Sequence, residues 1–152
     1  MENKTIFALS TAPGKAGIAV IKISGPSSVK IIKALCDINP LPRKAVLCEL
    51  CYNGEMIDQA IVLYFKANNS YTGEDMAEFQ VHGSNAVVAN LLSVLEFDLK
   101  LTMAIPGEFT RRALEHGRMD LTQVEGLLDL IEAETKSQQK QALMLFNGSI
   151  TN

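Results

Sequence analysis

No stretch of this sequence approaches the roughly 18 consecutive apolar residues that a membrane-spanning helix needs. Its start, MENKTIF, has neither the basic nor the apolar region of a secretory signal peptide, so the chain is expected to be cytoplasmic. Cysteine is scarce. Cys36, Cys48 and Cys51 make an odd count without a secretory signal, which argues against a disulfide framework and predicts free thiols. Cys48 and Cys51 do form a CxxC, but in KAVLCELCY, a strand-like run where residues three apart face opposite sides. With no second CxxC nearby, packing is the expected role rather than zinc or redox chemistry. Basic charge is not in excess either: 14 Lys+Arg stand against 17 Asp+Glu, giving a net charge of −3 and a pI near 5.4. Such a chain does not hold nucleic acid mainly by neutralising phosphates. Repeats at solenoid periods and low-complexity tracts are absent as well.

What the sequence does have is core. At 152 residues and 47% hydrophobic content it has the size of one ordinary domain, able to bury roughly 70% of its unfolded surface. Strand patterns occupy residues 4–10 and 18–24; in the second, IAVIKIS, Ile18, Val20, Lys22 and Ser24 share one face and Ala19, Ile21 and Ile23 the other. Gly25 and Pro26 open a helix to about Asp37, with Val29, Ile32 and Leu35 at helical spacing. A Pro-containing loop at 39–43 precedes a hairpin of strands 44–52 and 56–65 around Asn53, Gly54 and Glu55. The polar loop KANNSYTGE at 66–74 leads to a strand at 76–82 and a helix whose Val87, Val88, Leu91, Leu92 and Leu95 form one stripe. Residues 99–104 are expected to return as a strand. This order predicts an α+β fold, a mixed β-sheet with packed helices, rather than an all-parallel sheet.

The segment 105–135 joins two helices without a spare residue. Pro106 suits a first helical position, Glu108 the positive helix end and Gly117 a left-handed stop, while Asp120 and Gln123 have capping-box spacing for the next helix. That helix, from 120 to about 146, would be on the order of 40 Å long and protrude from a domain of this size. Its apolar stripe of Leu121, Val124, Leu128 and Ile131 is interrupted by the polar run 134–141. The boundary of the first domain therefore falls near Gly117 to Met119, dividing the chain into 1–118 and 119–152.

Several segments invite a chemical reading. The loop Pro13-Gly14-Lys15-Ala16-Gly17 lacks GxxxxGK[ST] and precedes a strand, so a structural turn is expected, and no GTP or ATP site is visible in the chain. In the strand at 76–82, Glu78, Gln80 and His82 share one face, as a ligand site or as a solvated face. Lys22, beside apolar Ile18 and Val20, either reaches water or meets an anionic partner. Arg111, Arg112, His116 and Arg118 form either a binding turn or an exposed basic helix end. Glu74, Asp75 and Glu78 show no metal spacing, and no catalytic triad is supported.

TAPGKAGIAVIKISGP at 11–26, SYTGEDMAEFQVHG at 70–83 and IPGEFTRRALEHGRMDLTQVEGLLDLI at 105–131 stand in the order and spacing of the MnmE/TrmE family of tRNA-modifying GTPases. Over essentially its whole length the chain resembles that family's N-terminal domain plus the first helix of its helical domain. The resemblance implies a fold similar to the folate-binding domain of aminomethyltransferases and a homodimer through this domain. It also implies a bound one-carbon tetrahydrofolate, 5-formyl- or 5,10-methylene-, whose contacts fall on Lys22, Glu78 and Arg118. With the FAD-dependent partner MnmG (GidA), members of the family modify C5 of the wobble uridine in tRNA. Their GTP, Mg2+ and K+ sites lie in a domain that this sequence does not contain, so no GTPase activity of its own is expected. Lys22 stands where many members have arginine, Ser84 where a second glycine is common, and Arg118 where lysine is common. Two rivals remain: a free-standing folate-dependent one-carbon transferase, with Asp75 or His82 as general base, and a purely structural dimerisation domain.

Overall fold

Alternation in IAVIKIS and MAEFQVH sets the centre of the fold, since residues two apart on a strand share a face. The computed structural model describes residues 4–11, 17–132, 143, 144 and 147. Its strands are β1 (Ile6–Leu9), β2 (Ile18–Ser24), β3 (Val46–Tyr52), β4 (Glu55–Phe65), β5 (Met76–His82) and β6 (Thr102–Met103). Helices α1 (Ser28–Cys36), α2 (Asn85–Ser93), α3 (Glu108–Glu115) and α4 (Leu121–Glu132) complete the described elements. The strands form one sheet in the order β3-β4-β5-β2-β1-β6, antiparallel throughout except for the β1–β6 pair. The fold is therefore the expected α+β class with a mixed sheet. Two compact units, Met1–Pro106 and Gly107–Asn152, make up the chain.

Within the first unit, α1 and α2 cover one face of the sheet. Ile21 and Ile23 of β2, Phe79 of β5, Val62 of β4 and Leu50 of β3 are nearly inaccessible and share one apolar cluster with Ile32 and Leu35 of α1 and Leu91 and Leu95 of α2. Each fully buried side chain of this size contributes about 1.5–3 kcal/mol. The stripe expected on α2 is present, with Leu91 and Leu95 buried and Val87, Val88 and Leu92 packed partly against the cluster. After Ser93 the helix widens into one π turn, Val94–Asp98, closed by the Leu99 amide on the Val94 carbonyl at 2.9 Å. The hairpin turn is tighter than the three residues expected: Asn53 and Gly54 alone have positive φ, 53° and 81°, as a two-residue type I′ turn requires. Strand β6 has shrunk to two residues.

The start of β5 and the end of β2 are pinned by hydroxyl groups. Ser24, Ser28, Ser70 and Thr72 are buried, and each finds partners. Ser24 donates to the Glu74 carboxylate at 2.8 Å, and since a serine has one hydroxyl proton, the 2.7 Å bond between Ser24 and Thr72 has Thr72 as donor. The Glu74 amide in turn donates to Thr72 Oγ1 at 3.2 Å. Ser28 bridges the Gly25 and Asp75 carbonyls, at 2.9 and 2.8 Å. Gly25 itself has φ +138°, and a Cβ there would stand 2.6 Å from the Thr5 Cα. Only glycine meets both conditions.

In the second unit, Gly107 at φ 80° precedes α3, so the helix starts at Glu108 and Pro106 lies ahead of it rather than at its first position. Gly117, φ 70°, follows α3 as expected. The capping box of α4 is complete, Gln123 N–H to Asp120 Oδ1 at 2.8 Å and Asp120 N–H to Gln123 Oε1 at 3.0 Å. The helix is described to Glu132, and its expected continuation to 146 falls mostly outside the described residues, as does the loop 12–16.

Replacing Gly25 by alanine combines a backbone clash with a strained φ, and is expected to destabilise the chain by about 2 kcal/mol or more. Thermal unfolding reads this directly. Thr72→Val removes a buried donor and an acceptor together, leaving the Glu74 amide and Ser24 each short of a partner, for a loss of about 2 kcal/mol. A lower urea midpoint at unchanged m-value is the expected result; an unchanged midpoint would remove the network from the stability of the fold.

Candidate functional site

The sheet face opposite α1 and α2 carries the charged and polar side chains of the two central strands. β2 and β5 pair antiparallel with Lys22 opposite Glu78, Val20 opposite Gln80 and Ile18 opposite His82. Alternation makes this unavoidable: Ala77, Phe79 and Val81 are buried on the helix side, so Glu78, Gln80 and His82 take the other, as the sequence predicts.

Lys22 and Glu78 are both half-buried and line one cleft with Phe65, Asn69, Tyr71 and Met76. Its volume is about 180 Å³, room for a ring system rather than for a whole drug-sized ligand. Among the described residues no ion pair joins Lys22 to Glu78, although their backbones are register partners. The Glu78 carboxylate is oriented from the side instead, by Gln80 Nε2 donating to its Oε2 at 2.9 Å. Its other oxygen and the lysine ammonium remain available to something between them. A planar molecule with paired N–H donors at one edge fits a carboxylate held this way.

Phe65, Asn69 and Tyr71 were not singled out by the sequence reading. Tyr71 stands in the SYTGE segment, and the hydroxyl network around Ser24, Thr72 and Glu74 sets that segment beside Lys22. The signal was the cluster of Ser, Thr and Gly residues, which marks a loop without saying what it folds against.

Four residues beyond Glu78, His82 is held by Asp58. Its backbone amide donates to Asp58 Oδ2 at 2.8 Å, and its Nδ1 lies 2.9 Å from Asp58 Oδ1. Burial pushes the Asp58 carboxyl up, but the hydrogen bonds from the His82 amide and ring, the Gln59 amide and the imidazole charge outweigh it and hold the group below the usual carboxylate range. An ionised Asp58 only accepts, so Nδ1 carries the proton and the lone pair of a neutral ring sits on Nε2. Asp75 is occupied structurally: its Oδ1 accepts from the Ala67 amide at 2.9 Å and from the Tyr64 hydroxyl at 3.4 Å.

Arg118 belongs to the second unit, in the turn after α3, where its amide donates to the Ala113 carbonyl at 2.7 Å. The basic residues around it do not form a uniformly exposed helix end. Arg112 is buried, only 3% accessible, and donates to Glu108 Oε2 at 3.2 Å; Arg111 is exposed between Glu108 and Glu115, each at 3.6 Å. An i,i+4 pairing with Glu108 turns Arg112 inward, which helical position alone did not reveal. His116 Nδ1 bonds the Arg112 carbonyl at 2.9 Å.

The thiols lie elsewhere. Cys48 is buried and Cys51 half-buried beyond a register shift at Leu50/Cys51. Burial, with Cys48 and then Cys51 nearby, pushes the Cys36 thiol up to about 12, so it stays protonated at neutral pH. Among the described residues no three His, Cys, Asp or Glu side chains are grouped to hold a metal ion, and no helix is long and apolar enough to cross a membrane.

Comparison with known proteins bears on the same strands and turn. The chain is 50% identical over 147 residues to the tRNA modification GTPase MnmE of Roseobacter denitrificans. To proteins of the same name it is 51% identical over 146 residues in Cereibacter sphaeroides and 52% over 147 in Dinoroseobacter shibae. Each alignment covers 96% of this chain and 34% of the relative, so the chain spans about a third of the length of the curated relatives it matches. The family model described as GTP-binding protein TrmE N-terminus matches residues 5–118, from the first residues of the sheet to the Arg118 turn. By that match the chain belongs to the TrmE N-terminal domain family.

Proposed function

We propose that this chain is the folate-binding and homodimerisation module, residues 1–118 with the start of a helical domain at 119–152, of a tRNA modification GTPase acting in the cytoplasm. The observation that carries the proposal is the Lys22–Glu78 arrangement: two opposite charges in register, half-buried in one ring-sized cleft, and not paired with each other. Charges so placed favour a ligand that brings both a donor edge and an acceptor.

A pterin has that pattern. Its ring N–H and exocyclic amino group form a paired donor edge for Glu78, while its carbonyl, or the carboxylates of the glutamate tail, suit a cation. Lys22 supplies such a cation beside Glu78. Arg118 supplies another by likeness to the family's pattern in the turn after α3. Tyr71 and Phe65 offer ring faces to a flat ligand in the cleft. The cofactor would be 5-formyl- or 5,10-methylene-tetrahydrofolate. In the whole protein, GTP, Mg2+ and K+ would bind a domain outside this sequence, and the FAD protein MnmG would join it to modify C5 of the wobble uridine. Relatives named tRNA modification GTPase support this reading.

The transferase reading finds less support. Asp75 is engaged with the Ala67 amide and Tyr64, and His82, with Nε2 turned outward, stands four residues along β5 from Glu78. That is about 13 Å at strand spacing.

Calorimetric titration with 5-formyltetrahydrofolate, on material whose dimeric state is fixed by sedimentation, is the test. Binding is expected, and Glu78→Gln, which keeps the shape but loses the charge and one acceptor, is expected to weaken it by about 10- to 100-fold. Wild-type affinity in Glu78→Gln rejects the pterin role of that residue. No binding by a folded dimer rejects the site and leaves a structural dimerisation domain.

A further inference from the structure

A second cleft, of about 380 Å³, opens where the chain enters β1 and β6 and shares no lining residue with the cleft of Lys22 and Glu78. Lys4, Lys100, Ser27 and Thr102 line it, with Thr5 and Leu101 between them. Strands β1 and β6 run parallel with Ile6 opposite Thr102, and the Thr102 amide donates to the Thr5 carbonyl at 3.2 Å. Lys4 precedes β1 and Lys100 precedes β6, and both line the cleft. Like charges that share one cleft repel.

Among the described residues no carboxylate lines the cleft and neither lysine has an ion-pair partner. Two hydroxyls point to the same need. Ser27 precedes α1 in the capping position yet makes no cap hydrogen bond, and among the described residues Thr102 uses only its backbone. Lys100 also holds a left-handed backbone, φ 61°, a conformation that costs a residue of this type about 1–3 kcal/mol. Two cations and two hydroxyls from three chain segments thus line one cleft.

We propose that this cleft binds a phosphate group, carried by an RNA backbone or free in solution. Four donors arranged in three dimensions suit the tetrahedral oxygens of a phosphate better than the flat pair of a carboxylate, and ammonium groups act on phosphate as point charges. With a net charge of −3 the chain has no general attraction for polyanions, so the affinity is local to these two lysines. Folate binding at Lys22 and Glu78 is not required for it.

The test compares the wild-type chain with the Lys4→Gln, Lys100→Gln double variant. Both lysines are exposed, so the variant is expected to keep its wild-type thermal unfolding. Inorganic phosphate is followed by its 31P resonance, and an RNA stem-loop by fluorescence anisotropy across a salt series. Loss of either signal in the variant supports the site, with the salt slope for RNA falling by about one per lysine removed. Loss of the RNA signal alone identifies a phosphodiester backbone as the source; loss of the inorganic phosphate signal alone identifies free phosphate. Wild-type protein that binds neither probe, or a variant that binds both unchanged, overturns the proposal.

Discussion

The pairing of β2 with β5 is the constraint from which the rest of the first unit follows. Seven residues of one strand meet seven of the other, from Ile18 opposite His82 to Ser24 opposite Met76. Because side chains alternate, one register decides both faces: it sends Ile21 and Phe79 into the apolar layer under the helices and sets Lys22 across from Glu78 on the reverse. A slip of one residue would turn one strand over and put either Lys22 or Glu78 among Ile32, Leu35 and Leu95. The desolvation of that charge makes the register inaccessible, so the same residues that form the cleft also fix the sheet.

Around that pair the cleft is finished by groups whose own hydrogen bonds are spent on structure. Gln80 holds Glu78, the hydroxyls of Ser24 and Thr72 hold the loop that carries Tyr71, and Asp75 ties that loop to the Ala67 amide. Gly25 allows β2 to turn into α1 against Thr5, and Ser28 closes the corner onto the Asp75 carbonyl. These polar contacts hold the groups around the cleft, while among the described residues no ion pair joins Lys22 and Glu78 themselves.

Elements governed by short-range rules were legible in the sequence. The faces of β2 and β5, the stripe on α2, the stop at Gly117 and the reciprocal cap of Asp120 and Gln123 all depend on spacing within a few residues. What was not legible depends on partners distant in the chain. Asp58 reaching His82, Thr72 reaching Ser24 and Phe65 joining Lys22 in one cleft are separated by 24, 48 and 43 positions, and no local pattern encodes them. Arg112 stood open between a binding turn and an exposed basic helix end. It is buried and donates to Glu108 one turn earlier on the same helix, a contact that helical spacing allows but does not single out. The π turn at Val94 also left no trace, since it keeps Leu95 on the same stripe that an α-helical turn would use.

The buried relay from Thr72 through Ser24 to Glu74 has a consequence for how a molecule would enter the cleft. A loop of small polar residues, left to itself, samples many conformations, and ordering it on contact would subtract from affinity on the order of 1 kcal/mol for each residue fixed. Here Ser70, Thr72 and Glu74 are tied down by the chain's own hydrogen bonds, so the conformational entropy of that wall is lost during folding rather than during binding. A ligand arriving between Tyr71 and Lys22 meets a rigid edge. Its encounter is then governed by fit and desolvation, with no slow closure of this segment to wait for.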